Sequence, residues 1–503
     1  MAIITDQQLG SVNYTTPKIL IVEVTPSPQA RATSTNVVGA VMQLTKGDPN
    51  KIILVGSLAE FTRKCGYYDA NLDGYLFVDD FFKANGSVLK IARAVDDDAT
   101  KSSGVINSSG DIALFTLEAK TVGTDGNQLT TQISDATVDD YFNIIIRHKI
   151  TNQILEYKKV TTDSTDTRYI KTIIDNDPTA QDILTITMHV TDGTIPENGT
   201  VDFIGGTNGT DYGDALSDTA YIGTELGSVR TGIKLFKQIN ANDINVVVSA
   251  RNNDNINTEL ILHVTDINIA PRRTVITFEE GTDVDTAIAN MATLDYDKVK
   301  VVYPYVKCTN PFTLQLETHN PTSFESANDT LLGYWQSASQ TALPANVKEL
   351  EYELSQVEID QLTAKRINPY KLEVGFGFIR ASDYTTSSNP ELQQNVVRKA
   401  KDYFGKTFES LFRLFLSKPI TARLWGEMTD ASKAFLRKEA NDGHIGISTG
   451  GVPYAVKIDS ENNPPEIVKL NRVYAYIEIS LLAIADIIQV LMDARQEKTI
   501  INS

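Results

Sequence analysis

Short apolar segments alternate with amphipathic segments between residues 212 and 303, and this alternation places the strongest constraint on the fold. The pattern predicts strands at 244–250, 273–278 and 299–303, with helices at 258–269 and 283–294 between them. A helix between two strands is long enough to bring the chain back to the end of the sheet where the previous strand began, so consecutive strands run parallel. Earlier strands predicted at 52–55 and 88–95 are expected to join them. The sequence therefore predicts a β/α domain built on a parallel sheet.

The composition changes between residues 98 and 206, where Ser, Thr, Asp, Asn and Gly become frequent. Short β-prone runs recur there at 112–117, 141–147, 154–160 and 183–190. Short strands separated by turn-forming residues are typical of a β-sandwich or a barrel. This segment is predicted to be a β-rich insertion domain, and the glycine-rich run 205–209 marks its exit.

The last part of the chain predicts an α+β domain. A long helix is predicted after Asn368, with apolar residues at helical spacing from Leu392 to Phe415. A second helix is predicted at 430–441, and the last strands fall within 473–492. β-prone runs at 19–24 and 498–502 predict extended arms at both ends. The predicted division is an N-terminal arm 1–30, a β/α domain 31–97 plus 207–345, the insertion 98–206, a C-terminal domain 346–495 and a C-terminal arm 496–503.

Charge and composition restrict the class of partner. The chain of 503 residues has 64 acidic and 46 basic residues, and its formal net charge is −18. Binding to phosphates needs a basic field, so this balance argues against a nucleic acid as partner. The apolar run 474–494 contains Glu478, Asp486 and Asp493, which are costly in hydrocarbon, and its first half alternates like a half-buried strand. No direct membrane insertion is expected.

Three short motifs point to chemistry, and each has a plainer interpretation. Residues 69–80 resemble a calcium loop, but the closing residue Asp80 is shorter than the usual bidentate Glu, and a polar turn entering a helix is the alternative. Gly405-Lys406-Thr407 lacks the earlier glycine of a phosphate loop. The G-x-S-x-G run at 446–450 has no histidine after it, so a glycine-rich hairpin is the alternative to a nucleophile elbow.

The residues that most often bind metals or act as nucleophiles do not cluster in the sequence. The five histidines have no ligand spacing between them, and Cys65 and Cys308 are expected to be two reduced, buried thiols. No reaction can be assembled from these residues. The sequence therefore predicts no catalytic residue, no cofactor and no metal site.

Several motifs occur in an order known from one protein family. They are a run at 17–24 with Pro17, Ile21, Glu23 and Val24, then Tyr303-Pro304, Pro344-Ala345-Asn346 and Ile367-Asn368-Pro369. In these motifs the chain resembles the contractile tail sheath proteins of bacteriophages and related injection machines. Lys18 stands where that family has glycine, and the run after Gly377 keeps only part of the family pattern.

The resemblance implies a structural subunit and not an enzyme. Sheath subunits polymerise as stacked six-fold rings around an inner tube and contract to drive the tube through a target cell envelope. The implied partners are further copies of the chain, the inner tail tube protein, and the baseplate and tail terminator proteins, in a virion tail assembled in the bacterial host cytoplasm. Two alternatives remain: another self-assembling tail or baseplate component, and a calcium-binding or hydrolytic enzyme.

The resemblance also assigns roles to the domains. The β/α domain is implied to be subtilisin-like but non-catalytic, the insertion to face outward and the C-terminal domain to lie inside, near the tube. The arms are implied to add strands to neighbouring subunits, through Ile19, Ile21, Val22, Val24, Lys498, Thr499, Ile500 and Ile501. The helix at 430–441 is implied to contact the tube through Lys433, Arg437 and Lys438. Lys433 and Arg437 are four residues apart and share one face, although a plain solvated helix has the same pattern.

Overall fold

A computed structural model describes residues 35–447, 449–482 and 484, together with the backbone of two short strands near the N-terminus. The chain divides into two compact units, one formed by residues 33–403 and the other by residues 1–32 with 404–503. The boundary between Tyr403 and Phe404 falls inside a helix.

The strands are numbered in chain order. They are β1 Ile4–Thr5, β2 Val22–Glu23, β3 Val37–Gln43, β4 Ile53–Val55, β5 Val88–Ala94, β6 Ser103–Asn107, β7 Ala113–Ala119, β8 Leu129–Asp135, β9 Phe142–His148, β10 Ile154–Val160, β11 Leu184–Met188, β12 Gly199–Asp202, β13 Glu225–Leu226, β14 Val229–Arg230, β15 Val246–Ser249, β16 Arg273–Ile276, β17 Val299–Tyr303, β18 Val306–Thr309, β19 Leu316–His319, β20 Val347–Leu350, β21 Ile367–Glu373, β22 Gly377–Arg380, β23 Tyr454–Lys457 and β24 Tyr476–Ile479.

The α-helices are numbered in the same way. They are α1 Leu58–Cys65, α2 Gly74–Lys83, α3 Ile170–Asp175, α4 Pro178–Gln181, α5 Asp218–Ile222, α6 Asp254–Thr265, α7 Val284–Asn290, α8 Thr322–Leu331, α9 Gln356–Ala364, α10 Asn395–Arg413, α11 Ala422–Asn441 and α12 Pro465–Val468. Short 3₁₀ helices occupy Thr124–Gln128, Gly213–Ala215, Gly232–Lys237, Ile239–Ala241 and Met291–Thr293. Among the helices described, none combines the length and apolar character needed to cross a bilayer.

An eight-stranded sheet organises the larger unit, in the order β22-β21-β17-β16-β15-β3-β5-β4. The strands from β21 to β5 run parallel, and the edge strands β4 and β22 are antiparallel to their neighbours. Strand β3 is buried at every residue, because apolar helices cover both faces of the sheet. Helices α1, α2 and α8 contribute to the core on one face, and α5, α6, α7 and α9 contribute to the core on the other.

The predicted β/α alternation is confirmed by the pairing of β15, β16 and β17, and the early strands β4 and β5 lie in the same sheet. The helix starts follow from capping, since Ser57 accepts from the Glu60 amide and Asp283 from the Thr286 amide. The long helix predicted after Asn368 is confirmed as α10, which begins at Asn395. The hairpin β21–β22 was not predicted, and it extends the sheet beyond the boundary predicted at residue 345.

The segment 98–206 folds into two antiparallel sheets around a core of its own. The sheets have the orders β10-β9-β8-β12 and β11-β7-β6. Phe115, Phe142, Ile144, Leu117 and Phe203 are among the side chains that fill the space between them. This packing agrees with the polar, turn-rich sequence, in which each strand has one face for the core and one for solvent.

A network of buried ion pairs lies between the eight-stranded sheet and helix α8. Lys300 on β17 contacts Glu325 and Asp383, each at 2.6 Å, and Arg380 on β22 contacts Glu325 at 2.7 Å. Arg273 on β16 contacts Asp329 at 2.6 Å and Asp402, in the first part of α10, at 3.2 Å. Pairing offsets the large cost of removing these charges from water, so the network fixes the positions of the strands relative to α8.

Candidate functional site

Helix α11 is the element that carries the predicted tube-contacting residues. It begins at Ala422, ahead of the predicted start at 430, because Thr421 caps it by accepting from the Leu424 amide at 3.2 Å. One face is buried through Leu424, Met428, Ala431, Ser432, Phe435, Leu436 and Glu439. This spacing of three and four residues leaves the opposite face exposed.

Aromatic packing fixes which face of α11 is exposed. Phe435 lies edge-to-face against Phe404 and Phe408, with ring centroids 6.1 and 5.8 Å away. Such contacts add to the stabilisation that burial of the ring provides. The prediction that Phe435 and Leu436 point into their own domain is confirmed, since both side chains are buried.

The three predicted basic residues lie together on the exposed face of α11. Lys433, Arg437 and Lys438 are all exposed. Lys438 forms an ion pair with Asp442 at 2.9 Å, one turn further along. Neither Lys433 nor Arg437 forms an ion pair among the residues described in the structure. The exposed face therefore offers two unpaired cations to a partner, and Lys438 is partly neutralised.

Strands β23 and β24 form a two-stranded antiparallel sheet in which Tyr454 lies opposite Ile479 and Lys457 opposite Tyr476. The alternation predicted from Val473 onward is confirmed, because Ile477 and Ile479 are half-buried and Tyr476 and Glu478 are exposed. Within the described part of the chain neither strand pairs with a third strand. Among the described residues, each outer edge therefore has no strand partner, and an open strand edge is the template that strand addition requires.

The predicted arm contacts fall almost entirely outside the described residues. Ile19, Ile21, Val24, Lys498, Thr499, Ile500 and Ile501 all lie there. Val22 is described by its backbone alone, in strand β2, which pairs parallel with β1.

The calcium-like segment has a different architecture from an ion-binding loop. Asp73 accepts hydrogen bonds from the backbone amide of Gln43 at 2.8 Å and from the Tyr221 hydroxyl. Asp80 lies within α2 and faces His319. The two carboxylates therefore serve separate contacts, and the segment is a polar turn that enters α2.

The other two motifs also lie in settings that do not suit their chemistry. Gly405-Lys406-Thr407 lies within helix α10, where no strand-to-helix turn exists to bind phosphate. The run at 446–450 follows helix α11 and precedes strand β23, whereas a nucleophile elbow follows a strand and opens a helix.

No known protein-family profile matches the chain, and no curated protein matches it in sequence. Solved structures do match it. A sheath tail protein from Desulfitobacterium hafniense has 14% identity and a TM-score of 0.60, over 89% of this chain and 94% of that chain. A sheath tail protein from Listeria innocua has 12% identity and a TM-score of 0.63, over 86% and 90%. The helical sheath of the anti-feeding prophage in its contracted state has 10% identity and a TM-score of 0.57, over 97% and 100%.

These likenesses extend over almost the whole chain, so they establish the fold. The chain has the mixed α/β, multi-sheet fold of tail sheath proteins, and its structural neighbours include the sheaths of contractile injection systems. The resemblance inferred from the motif order is confirmed at this level. At such low identity the likeness concerns the fold alone.

Proposed function

We propose that this chain is the structural subunit of a contractile sheath, which polymerises as stacked six-fold rings around an inner tube and contracts to drive the tube through a cell envelope. The observation that supports this most strongly is the match with the contracted sheath of the anti-feeding prophage, which covers 97% of this chain and all of that one. A likeness confined to one domain would carry no such argument, because single domains recur in unrelated proteins.

The open edges of the β23–β24 sheet suit polymerisation through arms. A strand added to either edge gains main-chain hydrogen bonds whatever its side chains are. We propose that the arms at 19–24 and 498–502 of neighbouring subunits occupy these edges. Each such hydrogen bond contributes only about 0.5–1.5 kcal/mol. Several of them in every subunit are enough to keep rings connected while the sheath changes shape.

The exposed face of α11 suits a contact that must later be released. Lys433 and Arg437 are exposed, so an ion pair with a tube carboxylate is weak, of the order of 0–1 kcal/mol. Weak contacts hold an extended sheath on its tube when they are repeated along its length, yet each one breaks easily during contraction. We propose that this face contacts the inner tube.

The remaining assignments follow from the same proposal. The β/α domain is subtilisin-like in shape without a catalytic triad, a description that its parallel sheet with helices on both faces supports. The insertion at 98–206, with its own core, faces outward, and the C-terminal domain faces the tube. The role is structural and not enzymatic, in a virion tail or a related particle with baseplate and tail terminator proteins as further partners.

Negative-stain electron microscopy of the purified chain tests the proposal. We expect striated tubes or stacked rings, because the subunit carries its own polymerisation contacts. A baseplate or terminator component would give closed rings that do not stack. Discrete monomers under all salt conditions would contradict both the stacked sheath and the unstacked ring.

A further inference from the structure

Four side chains with metal-binding atoms meet between helix α2 and the three-stranded sheet β19-β18-β20. Asp80 comes from α2, Cys308 from β18, His319 from the end of β19, and Asn346 directly precedes β20. Asp80, Cys308 and His319 are 2%, 0% and 5% exposed. The cluster contains no residue of α11, of the β23–β24 sheet or of the arms, and it is independent of the proposed function.

The donor atoms are close to one another. His319 Nδ1 lies 2.5 Å from Asp80 Oδ2, and Asn346 Nδ2 lies 3.0 Å from Asp80 Oδ1 and 3.8 Å from Cys308 Sγ. One donor atom from each of Asp80, Cys308 and His319 lies within 4.8 Å of the other two. Donors around a tetrahedral ion with bonds of ~2.0–2.3 Å are ~3.3–3.8 Å apart, so shifts of about 1 Å bring these side chains to bonding distance.

Two buried polar atoms of this cluster have no hydrogen-bond partner among the described residues. They are Nε2 of His319 and Oδ1 of Asn346. Buried polar atoms are nearly always paired, so two orphans in one cluster point to a missing ligand. Asn346 Oδ1 shares its amide carbon with Nδ2, so this oxygen lies next to the group that contacts Asp80 and Cys308.

We propose that Asp80, Cys308 and His319 bind a divalent transition-metal ion of the zinc class, with the Asn346 amide oxygen as fourth ligand. Thiolate, imidazole and carboxylate are the donors that zinc selects, and a thiolate disfavours calcium and magnesium. A thiolate and a carboxylate carry two negative charges and the imidazole and amide none. A divalent ion therefore leaves the buried site neutral, which removes the cost of burying a net charge.

Binding at this site releases a proton. The sulfur–metal bond forms as the thiol proton leaves to solvent, so affinity rises with pH. The ion joins α2 to the β18–β20 sheet, and its removal is expected to lower the Tm of the chain.

Cobalt substitution tests the site in the full-length chain. After chelation and dialysis, titration with Co²⁺ is expected to give one equivalent with visible tetrahedral bands and a near-ultraviolet thiolate-to-cobalt charge-transfer band, which Zn²⁺ then displaces. Cys308→Ser is expected to remove the charge-transfer band and to weaken cobalt binding about 100-fold or more. Even mutation of a residue that only hydrogen-bonds to a metal ligand lowers metal affinity about 10–100-fold. Cys65→Ser is the matched control, because Cys65 is the other buried free cysteine and lies outside the cluster; it keeps the band.

The wild-type spectrum decides the matter even if Cys308→Ser fails to fold. Absence of a thiolate–cobalt band in the wild type overturns the proposal. A band that survives in Cys308→Ser, or that disappears in Cys65→Ser, overturns it as well. Cobalt bound without a charge-transfer band is adventitious surface binding and also contradicts the site.

Discussion

Glu325 is a buried carboxylate between two cations, and its charge links β17 and β22 to helix α8. Burial alone would raise its pKa, but the neighbouring Arg380 and Lys300 outweigh burial and lower the pKa to about 2. Arg273 likewise keeps the pKa of buried Asp329 below its ordinary value. Carboxylates with lowered pKa values stabilise the fold above their unfolded pKa, and this contribution is lost as the pH falls through the folded pKa.

Glu325→Gln is therefore expected to destabilise the larger unit in a pH-dependent way. Removal of the charge leaves Arg380 and part of Lys300 unpaired, so the free energy of unfolding falls by about 3–5 kcal/mol near neutral pH. The difference between wild type and variant shrinks as the pH falls from 4.5, the ordinary Glu value, toward about 2. Urea unfolding of the unassembled chain, followed by circular dichroism across this range, measures it.

The matched control for this prediction is Asp175→Asn. It removes an exposed ion pair with Lys171 that has the same 2.6 Å separation as the pair between Lys300 and Glu325. Exposed pairs of this kind contribute about 0–1 kcal/mol, so the control stays close to wild type. Equal effects of the two substitutions, or a Glu325→Gln effect that does not change with pH, would show that burial of this network does not stabilise the fold.

Helix α11 carries the prediction that belongs to the element scale. Reversal of Lys433 and Arg437 to Glu is expected to leave the helix folded, because both side chains are exposed and the buried face is untouched. The reversed charges repel a partner that recognises cations, so the variant is expected to lose co-assembly with purified tube at low salt. At high salt, wild type and variant are expected to differ little, because screening weakens the binding of both. A pelleting assay of sheath with tube measures co-assembly.

Reversal of Lys158 and Lys159 provides the control, since it changes the net charge by the same amount on exposed residues of the insertion. Normal co-assembly by the control and failure by the α11 variant would assign the effect to position and not to net charge. Wild-type co-assembly by the Lys433 and Arg437 variant at low salt would exclude this face as the tube contact.

The C-terminal arm gives a second prediction at this scale. Deletion of residues 496–503 is expected to abolish polymerisation and to leave a folded subunit. A finer test is Ile500→Pro, which removes one backbone donor from a pairing strand, compared with Ile500→Val, which keeps it. Sedimentation separates polymer from subunit; tubes formed equally well by the truncated chain or by the proline variant would refute strand addition through this arm.

Elements that depend on local sequence patterns could be predicted, whereas features that depend on contacts between distant residues could not. Strands buried on both faces, such as β15 and β17, appear as apolar runs, and caps such as Ser57 mark where helices begin. The hairpin β21–β22 was missed because its place at the sheet edge depends on pairing with β17, which is distant in the sequence. The cluster of Asp80, Cys308 and His319 was invisible for the same reason, since no short motif contains its members.

At the scale of the whole molecule, the likeness to sheath proteins extends along almost the whole chain. A parallel sheet, a two-sheet insertion and a C-terminal unit with a two-stranded sheet follow one another, and solved sheath proteins match nearly all of them together. The order of short motifs along the sequence indicates this fold, although sequence identity to these solved structures is only 10–14%. Packing patterns are retained at this divergence, because a core accepts many apolar substitutions that keep its volume.

Cryo-electron microscopy of the assembled particle tests the central claim most directly. A helical reconstruction is expected to show six subunits per ring, a lumen lined by Lys433 and Arg437 of α11, a third strand added to the β23–β24 sheet by an arm of another subunit, and the 98–206 insertion on the outer surface. A closed assembly without stacked rings, or stacked rings whose lumen is lined by the insertion, would contradict the account.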